Sequence, residues 1–152
     1  ALEIEPKSVD LIWSEGAIFI LGFEAGLQRW YPHLRSPGGL VVVSEATWFV
    51  ECPPEEARDY WARCYPGIQT ESGNLAAAAR AGYEPLDHFR LLPDLWWTSY
   101  YTPLQARIEQ LRARVDLEDE MAAVIAEAEE EMEIYRHYGG SFGYTYYLLR
   151  TH

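Results

Sequence analysis

Two short segments of the chain combine carboxylates, hydroxyls and aromatic rings where a ligand could bind. The first is Trp13-Ser14-Glu15-Gly16, and the second runs from Ser44-Glu45 to Trp48. Both lie at the end of an apolar run typical of a buried strand. If these strands are parallel neighbours, about 4.8 Å apart, Glu15 and Glu45 should lie close together at one sheet edge. Carboxylates and aromatic faces there would favour a cationic ligand.

Both glutamates also have a structural interpretation, as acids near a helix N-terminus or as solvated residues at the rim of the sheet. No side chain is predicted to act as a catalytic base. His33 lies near the end of a predicted helix and His88 lies inside a predicted strand. These positions are more typical of structural histidines than of catalytic ones.

A third cluster is aromatic and consists of Trp96, Trp97, Tyr100 and Tyr101. Prolines bound this segment, which predicts a loop. One interpretation is a packed loop that covers the core. The other is a lid over a small-molecule site, because such sites are mostly apolar pockets with a few polar groups. Trp48 would then line the same cleft.

The first two segments are predicted to be held by a strand–helix–strand unit. Residues 9–13 form a short apolar run, residues 23–34 carry an apolar stripe at helical spacing, and residues 40–44 are apolar and β-branched. A glycine-rich turn at residues 36–39 ends the helix. Two buried strands joined through a helix should be parallel neighbours.

The rest of the chain predicts further helices and strands. Two further strands are predicted, at residues 85–92 and 142–149. Four further helices are predicted: one begins near Pro53, one covers residues 75–81, one begins at Thr102 in a capping box, and one runs from Leu117 to Tyr135. Three of these helices have a predicted inward face. In the helix after Pro53 it consists of Ala57, Tyr60, Trp61 and Cys64; in the helix from Thr102, of Leu104, Ile108, Leu111 and Val115; and in the last helix, of Leu117, Met121, Ile125, Ala128, Met132 and Tyr135.

Composition excludes several classes of protein. The 152 residues carry a net charge of −12, which would repel nucleic acid and anionic membranes. The acidic segment 116–133 contains no Lys or Arg and is predicted to be the solvated face of a helix. Cys52 and Cys64 have neither metal-ligand spacing nor a disulfide framework, so we expect no metal and a cytoplasmic protein. No apolar run approaches the roughly 20 residues that span a bilayer.

The order of these elements resembles the second half of class I S-adenosylmethionine-dependent methyltransferases. Residues 9–18 resemble the fourth strand of that family and the segment after it. Residues 36–45 resemble the Pro-Gly-Gly turn and fifth strand, with one residue inserted. Residues 73–83 are similar to the helix that leads to strand six. Residues 142–149 are similar to the antiparallel seventh strand, which the family inserts between strands five and six.

This resemblance implies an α/β Rossmann-like sheet, mostly parallel with an antiparallel last strand and helices on its faces. It also implies methyl transfer from S-adenosylmethionine to an unidentified small acceptor. Together with the sheet-edge argument, it places Trp13, Ser14, Glu15 and Gly16 at the cofactor. The residues expected at the acceptor are Glu45, Trp48, Trp96, Trp97, Tyr100 and Tyr101.

The chain also departs from the family. It has no counterpart to the glycine-rich loop after strand one or to the acid that ends strand two. The glycines at residues 139–143 precede a strand rather than a helix, which predicts a turn. We therefore expect a C-terminal half that is inactive alone. Its strand 9–13 should be covered by upstream residues or by a second copy, because an open apolar edge attracts other strands.

Two other classes of function remain open from the sequence. One is a non-catalytic acidic α/β domain that binds a protein partner through its aromatic segment and charged helix. The other is a nicotinamide-binding Rossmann domain. That class of domain also requires a glycine-rich loop, which this chain lacks, and the chain shows no likeness to that family.

Overall fold

The structure, a computed structural model, describes residues 4–113 and 119–152. The chain divides into two compact units. The first comprises Ala1–Arg90 with Ser141–His152, and the second comprises Leu91–Gly140. The first unit contains the five described strands, whereas the second is helical.

The first unit alternates strands and helices. Its strands are β1 (Leu11–Ser14), β2 (Leu40–Trp48), β3 (Gln69–Thr70), β4 (Tyr83–Arg90) and β5 (Phe142–Thr151). Its helices are α1 (Phe23–Trp30), α2 (Glu55–Cys64) and α3 (Glu71–Arg80). Short 3₁₀ turns cover Ile18–Ile20 and Tyr31–His33.

The sheet has the strand order β1-β2-β5-β4, and β3 adds to the end of β2. β1 and β2 are parallel, with Leu11 opposite Leu40 and Ser14 opposite Val43. β5 is antiparallel to both β2 and β4 and lies between them. The predicted parallel pair and the inserted antiparallel last strand are both confirmed.

One face of this sheet carries the core of the unit. Val41 and Val43 of β2 and Leu149 of β5 are fully buried against Leu27 of α1 and Ala78 of α3. Because alternate residues of a strand point to the same face, the buried side chains of β2 continue towards its carboxyl end. The next positions in that direction are polar, and they form part of the candidate site.

Several element boundaries differ from the prediction, and β4, for example, covers Tyr83–Arg90 rather than residues 85–92. α1 ends at Trp30 rather than Leu34, because Pro32 cannot donate to the helix and the chain continues as a 3₁₀ turn. β2 runs on to Trp48 instead of ending at Ser44. Its last residues are polar, but β5 pairs with them throughout and so supplies the backbone partners that extend the strand.

The remaining helices of the first unit largely match the predictions. In α2, Ala57 and Tyr60 are buried and Trp61 is half-buried, but Cys64 is exposed, so its predicted inward position is wrong. α3 begins before residue 75, at Glu71, where the Thr70 hydroxyl accepts a hydrogen bond from the Gly73 N–H and caps the helix.

The second unit corrects the prediction for the aromatic segment. α4 (Pro93–Trp96), a π-helical turn (Trp97–Tyr101) and α5 (Thr102–Arg112) follow one another directly. The segment is therefore helical and not a loop. Thr102 has helical dihedral angles and makes no capping hydrogen bond, so the predicted capping box is wrong. Pro93 occupies the first turn of the helical stretch instead.

The last helix, α6 (Asp119–Tyr138), buries most of its predicted face. Ile125, Met132 and Tyr135 are buried, whereas Met121 is 40% exposed, so its inward position is wrong. In α5, Ile108 is buried and Leu104 and Leu111 are half-buried. The predicted inward positions of Val115 and Leu117 lie outside the described residues. Gly139 and Gly140 form the predicted turn before β5.

β1 lies at the edge of the described sheet, with only β2 beside it. The Leu40 N–H donates to the Asp10 carbonyl. Backbone groups of alternate residues point to alternate sides of a strand, so the Leu11 and Trp13 N–H groups point away from β2. Their side chains are 45% and 62% exposed. This apolar edge has the properties of a strand that pairs with another strand.

We expect a further strand, from the same molecule or from a second copy, to cover this edge and so to protect the Leu11 and Trp13 amides from hydrogen exchange. Exchange measured by NMR and compared with the β2-facing amide of Ile12 tests this. The molecular mass in solution separates the two sources of the strand. Fast exchange at Leu11 and Trp13 in a monomer would contradict the prediction.

Candidate functional site

The carboxyl ends of β1 and β2 meet at one edge of the sheet because the two strands are parallel. Glu15 follows β1 there, and its carboxylate accepts hydrogen bonds from Trp13 Nε1 (2.5 Å) and from the Tyr146 hydroxyl (3.2 Å). The Gly16 N–H donates to Ser44 Oγ at 2.9 Å. The predicted cofactor residues are thus gathered together, with Ser14 as the last residue of β1.

The conformation of Gly16 helps to hold Glu15 in place. Its φ is +55°, in the left-handed region that residues with a Cβ rarely adopt. The chain turns sharply after Glu15, which directs the Gly16 N–H towards β2. Glu15 itself is exposed, so its carboxylate is fixed by two donors and remains open to a ligand.

Glu45 lies on the opposite face of the sheet from Glu15. Ser44 is opposite Tyr146, which binds Glu15, whereas Glu45 is opposite Thr145. Since neighbouring residues of a strand point to opposite faces, the two carboxylates do not meet. The expectation that they lie close together is wrong: the register places Ser44, not Glu45, beside the residues that come after β1.

The Glu45 side chain is only 2% exposed. Neither of its carboxylate oxygens has a hydrogen-bond partner among the described residues. Burial raises the pKa of Glu45 to about 7, although the nearby Tyr65 hydroxyl and the Ala46 N–H partly oppose that shift. Burial and the Glu45 charge raise the pKa of Tyr65 in turn.

A buried polar cluster continues along the same face from Glu45. Asn74 Nδ2 donates to the Tyr147 hydroxyl (3.0 Å) and to Thr47 Oγ1 (3.3 Å), and these two hydroxyls are 3.1 Å apart. The sequence analysis did not identify this cluster. One signal was present, because Thr47 follows Glu45 by two residues and so shares its face of the strand.

Beside this cluster, Glu71 accepts a hydrogen bond from the Thr145 hydroxyl and forms a 2.6 Å ion pair with Arg90. The hydrogen bond from Arg90 is the largest cause of a lowered pKa of Glu71. Glu71 therefore stays ionised and paired, in contrast to Glu45.

Trp48 ends β2 and lines an open groove of about 300 Å³. Its indole contacts Phe142 edge-on, with ring centroids 5.8 Å apart. Phe49, Glu51 and His88 also line the groove. His88 is exposed, and its ring stacks on Tyr147 at 6.3 Å, in agreement with the structural role predicted for it.

The four aromatic residues predicted at the acceptor belong to the second unit. Trp96 and Tyr101 are buried there, with Trp96 4.6 Å from Tyr135 and the Tyr101 hydroxyl donating to Glu131 at 2.9 Å. Trp97 is half-buried and Tyr100 is 49% exposed. Within its unit the cluster is a packed core, which favours the structural interpretation for Trp96 and Tyr101.

The described part of the chain holds neither a metal-binding cluster nor a membrane helix. Within residues 4–113 and 119–152, no three His, Cys, Asp or Glu side chains are placed to hold a metal ion. In the same part of the chain no helix is long and apolar enough to cross a bilayer. Cys52 and Cys64 are exposed free thiols.

Comparison with protein-family models and with curated protein sequences gives no match. Solved structures do match. The chain is similar to YjhP from E. coli (TM-score 0.77, 22% identity) and to a SAM-dependent methyltransferase from Geobacter sulfurreducens in complex with S-adenosyl-L-homocysteine (TM-score 0.74, 20% identity). It is also similar to phosphoethanolamine N-methyltransferase 2 from Haemonchus contortus in complex with S-adenosyl-L-methionine (TM-score 0.73, 17% identity).

These matches cover 98–99% of this chain but only 62%, 61% and 34% of the three proteins, respectively. The chain therefore spans less than two thirds of each. The chain has the fold of the class I S-adenosylmethionine-dependent methyltransferases.

Proposed function

We propose that this chain is the C-terminal part of a methyltransferase domain that transfers a methyl group from S-adenosylmethionine to a small acceptor. The main support is the geometry of Glu15. Two donors fix its carboxylate at the carboxyl end of β1, where ligands of open α/β sheets bind. Two structural neighbours contain S-adenosylmethionine or its demethylated product.

The residues at this edge fit the charge of that cofactor. Its sulfonium is cationic, and an exposed carboxylate beside the 62% exposed Trp13 ring attracts cations. When bound, the cofactor would supply an activated methyl group. Glu15 and Trp13 would orient it, and the neighbouring aromatic side chains would exclude water, so that catalysis rests on alignment of the reactants.

The described residues contain no glycine-rich loop that opens a helix after a strand, so this chain would supply only part of the cofactor site. We expect the 152-residue chain alone to bind S-adenosylmethionine with a dissociation constant weaker than about 10 μM, roughly −7 kcal/mol. A longer protein that carries such a loop ahead of this chain should bind more tightly. Isothermal titration calorimetry measures both.

In that longer protein, Glu15→Ala should weaken binding more than Glu129→Ala. Glu129 is a suitable control because it is likewise an acid with a side-chain partner, in its case Arg112, but belongs to the second unit. Equal effects of the two substitutions would show that Glu15 is not part of the cofactor site. Tight binding by the short chain would show that the site lies elsewhere.

One observation favours a second candidate, a non-catalytic domain that binds a protein partner. Leu11 and Trp13 are exposed on an edge strand of the described sheet, which suits pairing with a strand of another protein. If the longer protein binds no S-adenosylmethionine, this alternative is preferred over the enzyme.

A further inference from the structure

Glu45 differs from the other acids of the candidate site and of the aromatic cluster because it is both buried and unpaired. Glu15 has two donors, Glu71 has Arg90 and Thr145, and Glu131 has Tyr101. Glu45 is 2% exposed, and neither of its oxygens has a partner among the described residues. A buried carboxylate without a partner is costly to the fold. Such groups are exceptions that call for an explanation, often a functional one.

Among the described residues, the groups around Glu45 do not supply a cation to pair with it. On the neighbouring β5, Thr145 donates to Glu71 and Tyr147 is engaged with Thr47 and Asn74. The cation of β4, Arg90, is paired with Glu71. Among the described residues, Tyr65 is the titratable side chain that acts on Glu45, and it carries no positive charge. No cation of the described residues therefore acts on Glu45.

The position of Glu45 suits a ligand. It lies near the carboxyl end of β2, the end at which ligands of this architecture bind, and on the face where polar side chains replace the apolar core. Tyr65, which lies beside it, belongs to the turn after α2, where Pro66 and Gly67 are exposed. The chain's charge of −12 attracts cations over a longer range.

We propose that Glu45 binds the ammonium group of a small amine, so that the acceptor of the methyl group is an amine nitrogen. This inference rests on the function proposed above and names its substrate class. The ammonium would donate two or more charge-assisted hydrogen bonds to the carboxylate. Glu45 and the bound amine would then form the ion pair that the chain alone lacks.

The same contact provides a route for the proton. An ammonium nitrogen has no lone pair and cannot accept a methyl group. Transfer of one N–H proton to a Glu45 oxygen leaves a neutral amine with its lone pair free and a neutral carboxylic acid. In the chain without a ligand, burial raises the pKa of Glu45 to about 7, so its carboxylate is a stronger base than an exposed one before the amine binds.

The test uses the 152-residue chain with ¹³C-labelled glutamate and follows the Glu45 carboxyl resonance by NMR as a function of pH. The resonance is assigned by its loss in Glu45→Gln. Propylamine is the probe, and propan-1-ol is the neutral control of similar shape. We expect propylammonium to lower the apparent pKa of Glu45 by one unit or more, a tenfold change, with no comparable effect of propanol.

Glu84→Gln is the matched control variant, because Glu84 is a strand carboxylate of the same unit whose side chain is 45% exposed and paired with Arg150. It should leave the response of Glu45 unchanged, whereas Glu45→Gln should abolish saturable binding of propylamine. An equal response to propanol, or no response to either probe at about 100 mM, well above the millimolar range of weak specific binding, would overturn the amine site. Loss of the response in Glu84→Gln would show that the effect is nonspecific and would overturn it equally.

This experiment contains no S-adenosylmethionine, so it can fail independently of the methyltransferase proposal. A positive propylamine response in a protein whose longer form binds no cofactor would refute the enzyme and keep the amine site. Cofactor binding without a propylamine response would keep the enzyme and remove the amine as its acceptor.

Discussion

Replacement of Tyr147 by alanine should lower the free energy of unfolding by about 3–5 kcal/mol, the usual range for removal of a large buried aromatic ring. Tyr147 is fully buried, and its ring packs edge-on against Phe23 with centroids 5.3 Å apart. Its hydroxyl joins β5 to β2 and α3 through Thr47 and Asn74. The substitution therefore creates a cavity and also removes two hydrogen bonds.

Denaturant unfolding followed by circular dichroism measures this loss. Tyr147→Phe should cost only about 1 kcal/mol, because it removes the hydroxyl but keeps the ring. If the alanine variant does not fold, Tyr147→Phe still tests the contribution of the hydroxyl. Tyr146→Ala is the positional control, since Tyr146 is the next residue, half-buried on the opposite face. If Tyr146→Ala were as destabilising as Tyr147→Ala, the described core would be on the wrong face.

The second large effect is a pH-dependent gain of stability in Glu45→Gln. The pKa of Glu45 is about 7 in the folded chain against 4.5 for the unperturbed group. Between these values the folded chain keeps a proton that the unfolded chain has released. Glu45 therefore contributes stability below about pH 4.5, and that contribution is lost as the pH rises through about 7.

A shift of about 2.5 pKa units corresponds to about 3 kcal/mol. Glutamine imitates the protonated acid and does not titrate. We therefore expect Glu45→Gln to match the parent chain in stability near pH 4 and to exceed it by up to about 3 kcal/mol near pH 8. The other carboxylates titrate in both proteins and cancel in the difference. A difference that is constant across this pH range would contradict the raised pKa of Glu45.

A gain of stability on removing a side chain is the pattern expected of a functional residue, because binding groups are often kept at a cost to the fold. The unfolding experiment and the propylamine titration therefore examine two aspects of one carboxylate. The first measures the cost of its burial, and the second identifies what offsets that cost.

The local chemistry of the sequence predicted much of the fold. The apolar residues of β1 and the β-branched residues of β2 form runs that are too short and continuous for helices. The apolar stripe at helical spacing between them predicted a helix, and two strands joined through a helix are parallel. The position of the antiparallel β5 came from the family resemblance rather than from periodicity. No local sequence pattern predicts which strands β5 pairs with.

The candidate site was less predictable than the fold, because it depends on the register in which the strands pair. Glu15 and Glu45 each end an apolar run, but whether they share a face is decided by the pairing of Ser14 with Val43. A shift of one residue would exchange the faces. The cluster of Thr47, Asn74 and Tyr147 joins segments separated by up to 100 residues. Only the tertiary structure brings these residues together.

The aromatic segment was misassigned for a different reason. Trp97–Tyr101 lies between Pro93 and Pro103, and proline commonly marks a loop. Here Pro93 lies in the first turn of the helical stretch, where its missing N–H costs nothing, and Pro103 lies just after the π-helical turn. Burial of Trp96 and Tyr101 against α6 then favours a helix over a loop.

The insertion of β5 between β2 and β4 has a consequence for how the sheet is assembled. β4 is complete at Arg90, but its only strand neighbour in the described sheet starts at Phe142, close to the chain's last residue. During synthesis the described sheet would remain in two separate parts until the ten-residue strand β5 has left the ribosome. Pairings over such sequence distances close slowly, and the open edges exposed meanwhile are prone to misassembly. β5, which is made well after β4, is therefore the strand that joins the two parts of the described sheet.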